Sequence, residues 1–187
     1  MSWFEDWFNT PYYHILYKDR DYKEAENFIS NLTKELKLPT DSSIIDLACG
    51  KGRHSVFLNQ LGFEVLGVDL SEESILHNKQ FENSASPKLE FKVHDMRNEL
   101  YPEISEEKVN AVFNLFTSFG YFDDEEDDRK VFQSVKNVLK EGGIFILDFL
   151  NEGFVKNTLV AETTIIKGEI DFKIKKRIEN NYVIKDI

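Results

Sequence analysis

The alternation of short apolar runs with longer amphipathic segments constrains the fold of this chain most strongly. Five runs have the length and composition of buried strands, in the order "SIIDLA", "FEVLGVDL", "LEFKVHDM", "VNAVFNLF" and "IFILDFL". Segments with apolar residues at helical spacing separate or precede several of them, for example over 22–36 and over 131–143, which ends in two glycines. Because strands joined by helices need right-handed crossovers, the pattern predicts an α/β fold with a doubly wound, mainly parallel sheet and helices on both faces.

The C-terminal region follows a different pattern. In "EIDFKIKKRI", Ile170, Phe172 and Ile174 alternate with polar residues; a turn at "ENN" follows, and "YVIKDI" continues in an extended pattern. Two alternating strands around a polar turn predict an antiparallel β-hairpin. Since little else follows the fifth strand, we expect an incomplete C-terminus, either in a truncated chain or in a homodimer that covers the open C-terminal edge of the sheet.

Composition narrows the classes of ligand and partner. The 187 residues suffice for one α/β domain, and the formal net charge of −11 disfavours a nucleic-acid backbone as a partner. Cys49 is the single cysteine, which excludes an internal disulfide, and no Cys/His cluster has the spacing of a zinc site, so no metal is expected. No run approaches the length of a membrane span, and "MSWFEDWF" lacks the basic region of a signal peptide. We therefore expect a cytoplasmic protein without membrane or nucleic-acid partners.

A glycine turn with an acidic residue at its start follows the first predicted strand, in "IIDLACGKGRHS". Ligands of a doubly wound sheet bind beyond the carboxyl ends of its strands, and Gly50 and Gly52 allow a close backbone approach there. Ser55 stands where a dinucleotide-binding fingerprint has its third small residue, and Asp46 would repel a pyrophosphate. The turn therefore favours a nucleoside ligand that carries a positive centre and no phosphates.

These features together resemble the class I S-adenosylmethionine-dependent methyltransferases over roughly residues 40–150, and "DLACGKG" is similar to their first motif, with Ala48 in place of the commoner first glycine. The resemblance implies a Rossmann-like domain at 22–151 that binds S-adenosyl-L-methionine as cofactor. It implies an enzyme that transfers the methyl group to a small-molecule acceptor by in-line displacement. The N-terminal "FNTPYYHILYKDRDY" is similar to a subgroup of small, largely uncharacterised bacterial methyltransferases, which implies an aromatic lid at 1–21; residues 152–187 then form the accessory hairpin.

The resemblance also assigns cofactor contacts to the ends of the second and third strands. Asp69 closes the second strand about 20 residues beyond the glycine turn, where an acid accepts hydrogen bonds from both ribose hydroxyls. In "VHDM", Asp95 corresponds to the position that binds the exocyclic amine of adenine, and Met96 to the position that lies against the ring.

Further contacts are assigned to the fourth strand and to the lid. Asn114, Leu115 and Phe116 are expected near the methionine end of the cofactor. Tyr13 and Arg20 are expected to close the lid, with Arg20 pairing with the cofactor carboxylate. The expected cofactor-binding residues are Asp46, Ala48, Gly50, Gly52, Asp69, Leu70, Asp95, Met96, Asn114, Leu115, Tyr13 and Arg20.

Structural roles compete with several of these assignments. Asp69 can instead be a helix-capping acid, Leu115 and Phe116 are more often core residues, and Tyr13 is at least equally an aromatic anchor. Packing is the favoured role of Cys49, over a nucleophile, and of His54, over a group that faces the site.

The reaction itself is less constrained than the cofactor. No catalytic base is assigned, and Tyr121, Asp148 and Asn151 are candidates only to line an acceptor pocket near strand ends. The acceptor is not identified. A non-catalytic S-adenosylmethionine-binding or interaction module remains an alternative function, and an NAD-dependent oxidoreductase is a less favoured one.

Overall fold

The computed structural model describes residues 7–8, 10–17 and 22–187. The chain divides into two compact units, one of Met1–Asn9 with Asp21–Phe149 and one of Thr10–Arg20 with Leu150–Ile187. A short helix, α1 (Pro11–Leu16), belongs to the smaller unit. The expected division into 1–21, 22–151 and 152–187 stays a prediction.

The larger unit contains one five-stranded sheet and most of the helices. Its elements in chain order are α2 (Tyr22–Leu36), β1 (Ser43–Leu47), α3 (Arg53–Gln60), β2 (Glu64–Asp69), α4 (Glu72–Asn78), a 3₁₀ turn (Lys79–Phe81), β3 (Leu89–Val93), β4 (Val109–Asn114), α5 (Glu125–Val138) and β5 (Leu139–Leu147). The strand order is β3-β2-β1-β4-β5, and every neighbouring pair is parallel. The predicted doubly wound parallel sheet is confirmed.

Two apolar cores cover the two faces of this sheet. Ile44 and Ile45 are adjacent in β1, and their side chains enter different cores because successive side chains of a strand point to opposite faces. The core around Ile44 includes Ile29 of α2 and Leu58 of α3, whereas the core around Ile45 contains the buried stripe of α5. Helices therefore pack on both faces, as the periodicity predicts.

The helix and strand ends follow local sequence signals, with one exception. The Ser71 side chain accepts a hydrogen bond from the Ser74 N–H and caps α4. The prediction that the helix over 131–143 continues through Leu139 to the glycines was wrong. Leu139 is already extended (φ −73°, ψ 140°) and opens β5, and Gly142 lies in an irregularity where β4 and β5 shift register. The glycines thus form a bulge in the strand and do not end the helix.

The smaller unit contains an antiparallel sheet of three strands. After α6 (Glu152–Thr158), the chain forms β6 (Glu162–Lys167), β7 (Ile170–Glu179) and β8 (Tyr182–Asp186), in the order β6-β7-β8. The predicted hairpin is β7–β8, and its turn places Asn180 and Asn181 at positive φ, which suits a two-residue turn. No pattern in the sequence predicts β6. No helix in the described part of the chain is long and apolar enough to cross a membrane.

Candidate functional site

The neighbouring strands β1 and β4 end beside each other at the point where the sheet order reverses. The chain leaves β1 towards α3, which packs in one core, and later reaches α5, which packs in the other. Such a switch point opens a crevice at the carboxyl ends of the strands, where doubly wound sheets bind ligands. We use "the crevice" for the space between the glycine loop (48–52) and the β4 turn (114–117).

Three of the six non-glycine residues with positive φ in the described part of the chain lie at the crevice. Ala48 has φ 61°, Phe116 has φ 61° and Thr117 has φ 59°, although none of them is glycine. A residue held in such a conformation costs of order 1–3 kcal/mol and persists only where the surrounding structure fixes it, typically at functional sites. The strain at these three residues agrees with the location of the crevice that the topology gives.

The two glycines of the loop are needed for different reasons. Both have positive φ, 53° at Gly50 and 71° at Gly52. A Cβ at Gly52 would lie 2.9 Å from Cε1 of Phe91, so packing excludes a side chain there. A Cβ at Gly50 would meet nothing within 4 Å. Gly52 therefore allows the loop to pack against Phe91 of the core, whereas the space next to Gly50 is open.

Asp69 joins the glycine loop to the end of β2. Its Oδ2 accepts a hydrogen bond from the Gly50 N–H at 2.7 Å, and its Oδ1 accepts one from the Ser71 N–H at 2.8 Å. The side chain that caps α4 is that of Ser71, and the Asp69 carboxylate binds the N–H of this capping residue. The carboxylate is half-buried.

Asp46 lies at the end of β1 and is only 1% exposed. Its Oδ2 accepts a hydrogen bond from the Ser55 hydroxyl at 2.5 Å. Burial raises the pKa of Asp46 to about 6; the Ser55 hydrogen bond opposes this increase, and the negative charge of Asp69 adds to it. Because burial disfavours the ionised form of this carboxyl group, a cation that enters beside Asp46 would stabilise that ionised form.

Buried polar contacts hold the glycine loop from behind. Asn78 of α4 donates from Nδ2 to the Gly50 carbonyl oxygen at 2.8 Å, and its fully buried Oδ1 has no hydrogen-bond partner among the described residues. Burial, together with the charges of Asp46 and Asp69, raises the pKa of the Cys49 thiol well above its usual value. A neutral, buried thiol supports packing, the favoured role of Cys49, and disfavours a nucleophile.

Asp95 and Met96 follow β3, as the sequence predicts. Asp95 accepts hydrogen bonds from the Arg97 backbone N–H at 2.9 Å and from the Arg97 guanidinium. Burial raises the pKa of Asp95, but these hydrogen bonds outweigh it and leave the pKa below its ordinary value. Met96 is half-buried and packs against the core that contains α5.

The end of β4 is tied to both neighbouring strands. Asn114 is fully buried and donates from Nδ2 to the Leu47 carbonyl oxygen at 3.0 Å, while its Oδ1 has no partner among the described residues. At the end of β5, Asp148 donates its N–H to the Asn114 carbonyl oxygen and accepts the Phe116 N–H on Oδ2 at 3.0 Å. Leu115 is 3% exposed and belongs to the core that contains α3.

Aromatic and cationic side chains stack at the rim formed by α3 and the β4 turn. The His54 ring lies 4.8 Å from the Phe116 ring at an angle of 23°, and the Arg53 guanidinium lies 4.1 Å from the centroid of the same ring. His54 is 5% exposed, which agrees with a packing role at the start of the helix. Arg53 was not among the expected site residues.

The remaining expected residues are placed as follows. Leu70 follows β2 and is half-buried. Tyr13 lies in the smaller unit, where its ring is 5.0 Å from that of Tyr17. Arg20 lies outside the described residues. Within the described residues, no three His, Cys, Asp or Glu side chains form a group that could hold a metal ion.

Known proteins resemble this chain over the region that contains the crevice. A family model described as a methyltransferase domain matches residues 44–143. A glycine/sarcosine N-methyltransferase of Aphanothece halophytica is 37% identical over 142 residues, which are 72% of this chain and 51% of that protein. A dTDP-3-amino-3,4,6-trideoxy-alpha-D-glucopyranose N,N-dimethyltransferase of Streptomyces venezuelae is 26% identical over 138 residues, 73% of this chain and 54% of that protein.

A solved structure gives the same relationship. The crystal structure of an S-adenosylmethionine-dependent methyltransferase from Clostridium acetobutylicum ATCC 824 matches with a TM-score of 0.70 and 28% identity. The match covers 92% of this chain and 68% of that one. The chain spans about half the length of the curated relatives described above.

Proposed function

This chain belongs to the methyltransferase domain family, and we propose that it transfers a methyl group from S-adenosyl-L-methionine to the amino group of a small molecule. The relationship predicted from "DLACGKG", to the class I S-adenosylmethionine-dependent methyltransferases, is confirmed, as is S-adenosyl-L-methionine as the cofactor of the family. The observation that carries the proposal is the Asp69 carboxylate, which the Gly50 N–H fixes beside the open face of the glycine loop.

The residues of the crevice fit the parts of this cofactor. The Asp69 carboxylate would accept hydrogen bonds from the two ribose hydroxyls, and Asp95 with Met96 would bind the adenine. The buried Asp46 would favour a ligand with ammonium and sulfonium groups over one with phosphates, because an added cation lowers the free energy of its ionised form. At the methionine end, Ala48, Leu70, Asn114 and Leu115 would surround the chain. Tyr13 and Arg20 remain the proposed lid contacts.

In the proposed methyl transfer, the main contribution of the protein is to align the two reactants. The bound cofactor supplies an electrophilic methyl group on a sulfonium, which a neutral amine attacks with its own lone pair in line with the leaving sulfur. A well-oriented pair of reactants can lower the barrier by about 7–11 kcal/mol without an acid or base. The substrates named for the two curated relatives carry amino groups, which supports an amine as the acceptor class.

Calorimetric titration with S-adenosylhomocysteine tests this proposal. Loss of hydrogen bonds to a charged group costs about 1.5–3 kcal/mol each, so we expect Asp69→Ala to raise the Kd at least about tenfold. Asp171→Ala, which removes an exposed carboxylate in β7, is the matched control. Undiminished affinity in Asp69→Ala would refute the ribose assignment, and a wild-type protein that binds NAD but not S-adenosylhomocysteine would refute the proposed function.

The proposed homodimer concerns the outer edge of β5. This strand lies at the edge of the five-stranded sheet, beside a groove of about 300 Å³ that is lined in part by Phe132, Phe145 and the basic Lys136 and Lys140. The helix α5 carries acidic residues in its first turn and Lys136 in its last, so antiparallel pairing of two copies would place opposite charges together. A monomer in sedimentation equilibrium at micromolar concentration would count against this pairing.

A further inference from the structure

Arg97 binds the carboxylate of Asp95, the residue that the proposed function places against the adenine. The backbone N–H of Arg97 donates to Oδ1 at 2.9 Å, and its Nε donates to Oδ1 and to Oδ2, each at 3.0 Å. Its Nη2 donates to Oδ2 as well. Within the described part of the chain, every hydrogen bond to this carboxylate comes from Arg97. Arg97 therefore fixes the orientation of the Asp95 carboxylate.

Two contacts from other segments hold the Arg97 guanidinium. Its Nη1 donates to Oδ2 of Asp127, in the first turn of α5, at 3.3 Å, and the guanidinium lies 5.2 Å from the centroid of the Phe122 ring. Asp127 also accepts a hydrogen bond from Lys130 at 2.6 Å. The side chains of Asp95, Arg97 and Asp127 are at most 26% exposed, so solvent screens these charges less than those of an exposed ion pair. The guanidinium is therefore held in place before a ligand binds.

Asp95 lies beside the strand end to which we assign the ribose. The His94 N–H donates to the Asp69 carbonyl oxygen at 2.9 Å, so the chain reaches Asp95 directly next to the end of β2. Because the base of a nucleoside is attached to its ribose, the segment after β3 is the neighbouring position for the base.

The charge state of Asp95 favours one kind of base. Burial raises the pKa of Asp95, but the Arg97 hydrogen bonds outweigh it and keep the carboxylate ionised. An ionised carboxylate only accepts hydrogen bonds. It therefore fits the 6-amino group of adenine and repels the 6-oxo group of hypoxanthine.

We propose that Arg97 is a positioning residue for base recognition: by holding Asp95 as a fixed acceptor, it sets the preference of the site for a 6-aminopurine over a 6-oxopurine. The inference rests on the proposed function, because that function places the adenine at Asp95. Arg97 acts through Asp95 and not through a contact of its own with the cofactor. The base site then extends through Arg97 to Asp127 on α5.

Calorimetric titrations with S-adenosylhomocysteine and its 6-oxo analogue S-inosylhomocysteine test the inference. The two ligands differ only at the edge of the purine that carries the 6-substituent, so the ratio of their Kd values reports base recognition. We expect the wild type to bind S-adenosylhomocysteine at least about tenfold more tightly, because a site that accepts an N–H group disfavours the analogue that lacks it. Arg97→Met, which keeps an unbranched side chain but removes the guanidinium, should reduce this ratio to less than about threefold.

A second variant and a control accompany Arg97→Met. Asp127→Asn keeps Arg97 and weakens only its outer contact, so we expect an intermediate ratio. Arg129→Met removes an exposed guanidinium from the same helix and should leave the ratio unchanged. If thermal unfolding shows that Arg97→Met does not fold, Asp127→Asn decides: a ratio reduced at least about twofold supports the inference, and an unchanged ratio overturns it.

A folded Arg97→Met variant that retains the wild-type ratio overturns the inference even if both Kd values rise, because Arg97 would then only stabilise the fold. Tighter binding of S-adenosylhomocysteine by Arg97→Met also overturns it, because the guanidinium would then compete with the base for Asp95.

The wild type separates these failures from that of the proposed function. A wild type that binds both ligands equally refutes the adenine contact of Asp95 and the inference together. A wild type that binds neither ligand refutes the proposed function, and the inference with it.

Discussion

At the residue scale, the carboxyl group of Asp46 connects the stability of the protein to its ligand. It is buried at the end of β1, and burial raises its pKa from the ordinary 3.8 to about 6. Between these values the folded protein binds more protons at this group than the unfolded chain does. The contribution of Asp46 to the free energy of unfolding therefore falls by up to about 3 kcal/mol as the pH rises from about 4 to about 6. Above pH 6 this contribution stays low.

The first prediction concerns stability. Asp46→Asn removes the buried charge and keeps an oxygen that can accept the Ser55 hydrogen bond. We expect the free energy of unfolding of the ligand-free variant to exceed that of the wild type at pH 7.5, by up to about 3 kcal/mol, with the difference narrowing towards pH 4.5. Urea unfolding followed by circular dichroism at pH 4.5, 6.0 and 7.5 measures it. A variant less stable than the wild type at pH 7.5, or a difference independent of pH, would contradict this account.

The second prediction concerns binding at the same residue. A ligand with an ammonium or sulfonium group prefers the ionised form of Asp46, which is about a tenth of the population at pH 5 if the pKa is about 6. The Kd for S-adenosyl-L-methionine should therefore be about tenfold larger at pH 5 than at pH 7.5. Asp46→Asn should remove this dependence, which separates Asp46 from other titrating groups. Wild-type affinity that stays constant or tightens towards low pH would exclude the proposed role.

At the element scale, the two glycines of the glycine loop have different roles, because packing requires one of them and the other is assigned to the ligand. Alanine in the left-handed conformation costs about 1–2 kcal/mol. At Gly52 the added methyl group also meets Phe91 and Asn78, whereas at Gly50 it meets open space. The same loop therefore contains one glycine required by the fold and one that we assign to the ligand.

The third prediction compares alanine substitutions in this loop. We expect Gly50→Ala to lower the free energy of unfolding by only about 1–2 kcal/mol, yet to raise the Kd for S-adenosylhomocysteine at least about tenfold. Gly52→Ala should be less stable than Gly50→Ala because of the clash with Phe91. Gly142→Ala is the control, since Gly142 also has positive φ (76°) and open space but lies in the bulge of β5. If Gly50→Ala binds as tightly as Gly142→Ala, the open side of the loop does not face the ligand.

The elements differ in how well sequence predicts them, for physical reasons. The inner strands β1 and β4 are buried almost throughout, and their apolar runs stand out in sequence. In contrast, β6 is mostly exposed and lacks a clear apolar alternation, so only its pairing with β7 defines it. The end of α5 was mispredicted because the chain passes from helix to strand at Leu139 without a loop.

The residues of the site also differ in how well the sequence predicts them. Asp46 and Asp69 stand at strand ends that the order of elements predicts, and spacing alone suggests their importance. Their supporting contacts join residues distant in sequence. Asn78 reaches Gly50 across 28 positions, and Asp148 reaches Phe116 across 32. Sequence named Asp148 as a candidate near a strand end, but no periodicity indicates the Phe116 turn that it holds or the Arg53 that stacks there.

At the scale of the whole molecule, every described residue of the crevice belongs to the larger unit, and the matched family region, 44–143, lies within it. The topology brings the ends of β1, β2 and β4 to one edge of the sheet. The fold alone hosts many chemistries, so the functional conclusion depends on these particular side chains and not on the sheet order.

A crystal structure of the protein with S-adenosylhomocysteine tests the central claim most directly. We expect the ribose hydroxyls within hydrogen-bonding distance of the Asp69 carboxylate, and the sulfur between the glycine loop and the β4 turn. A fully occupied ligand elsewhere on the molecule, with the crevice empty and Asp69 directed away from it, would contradict the claim.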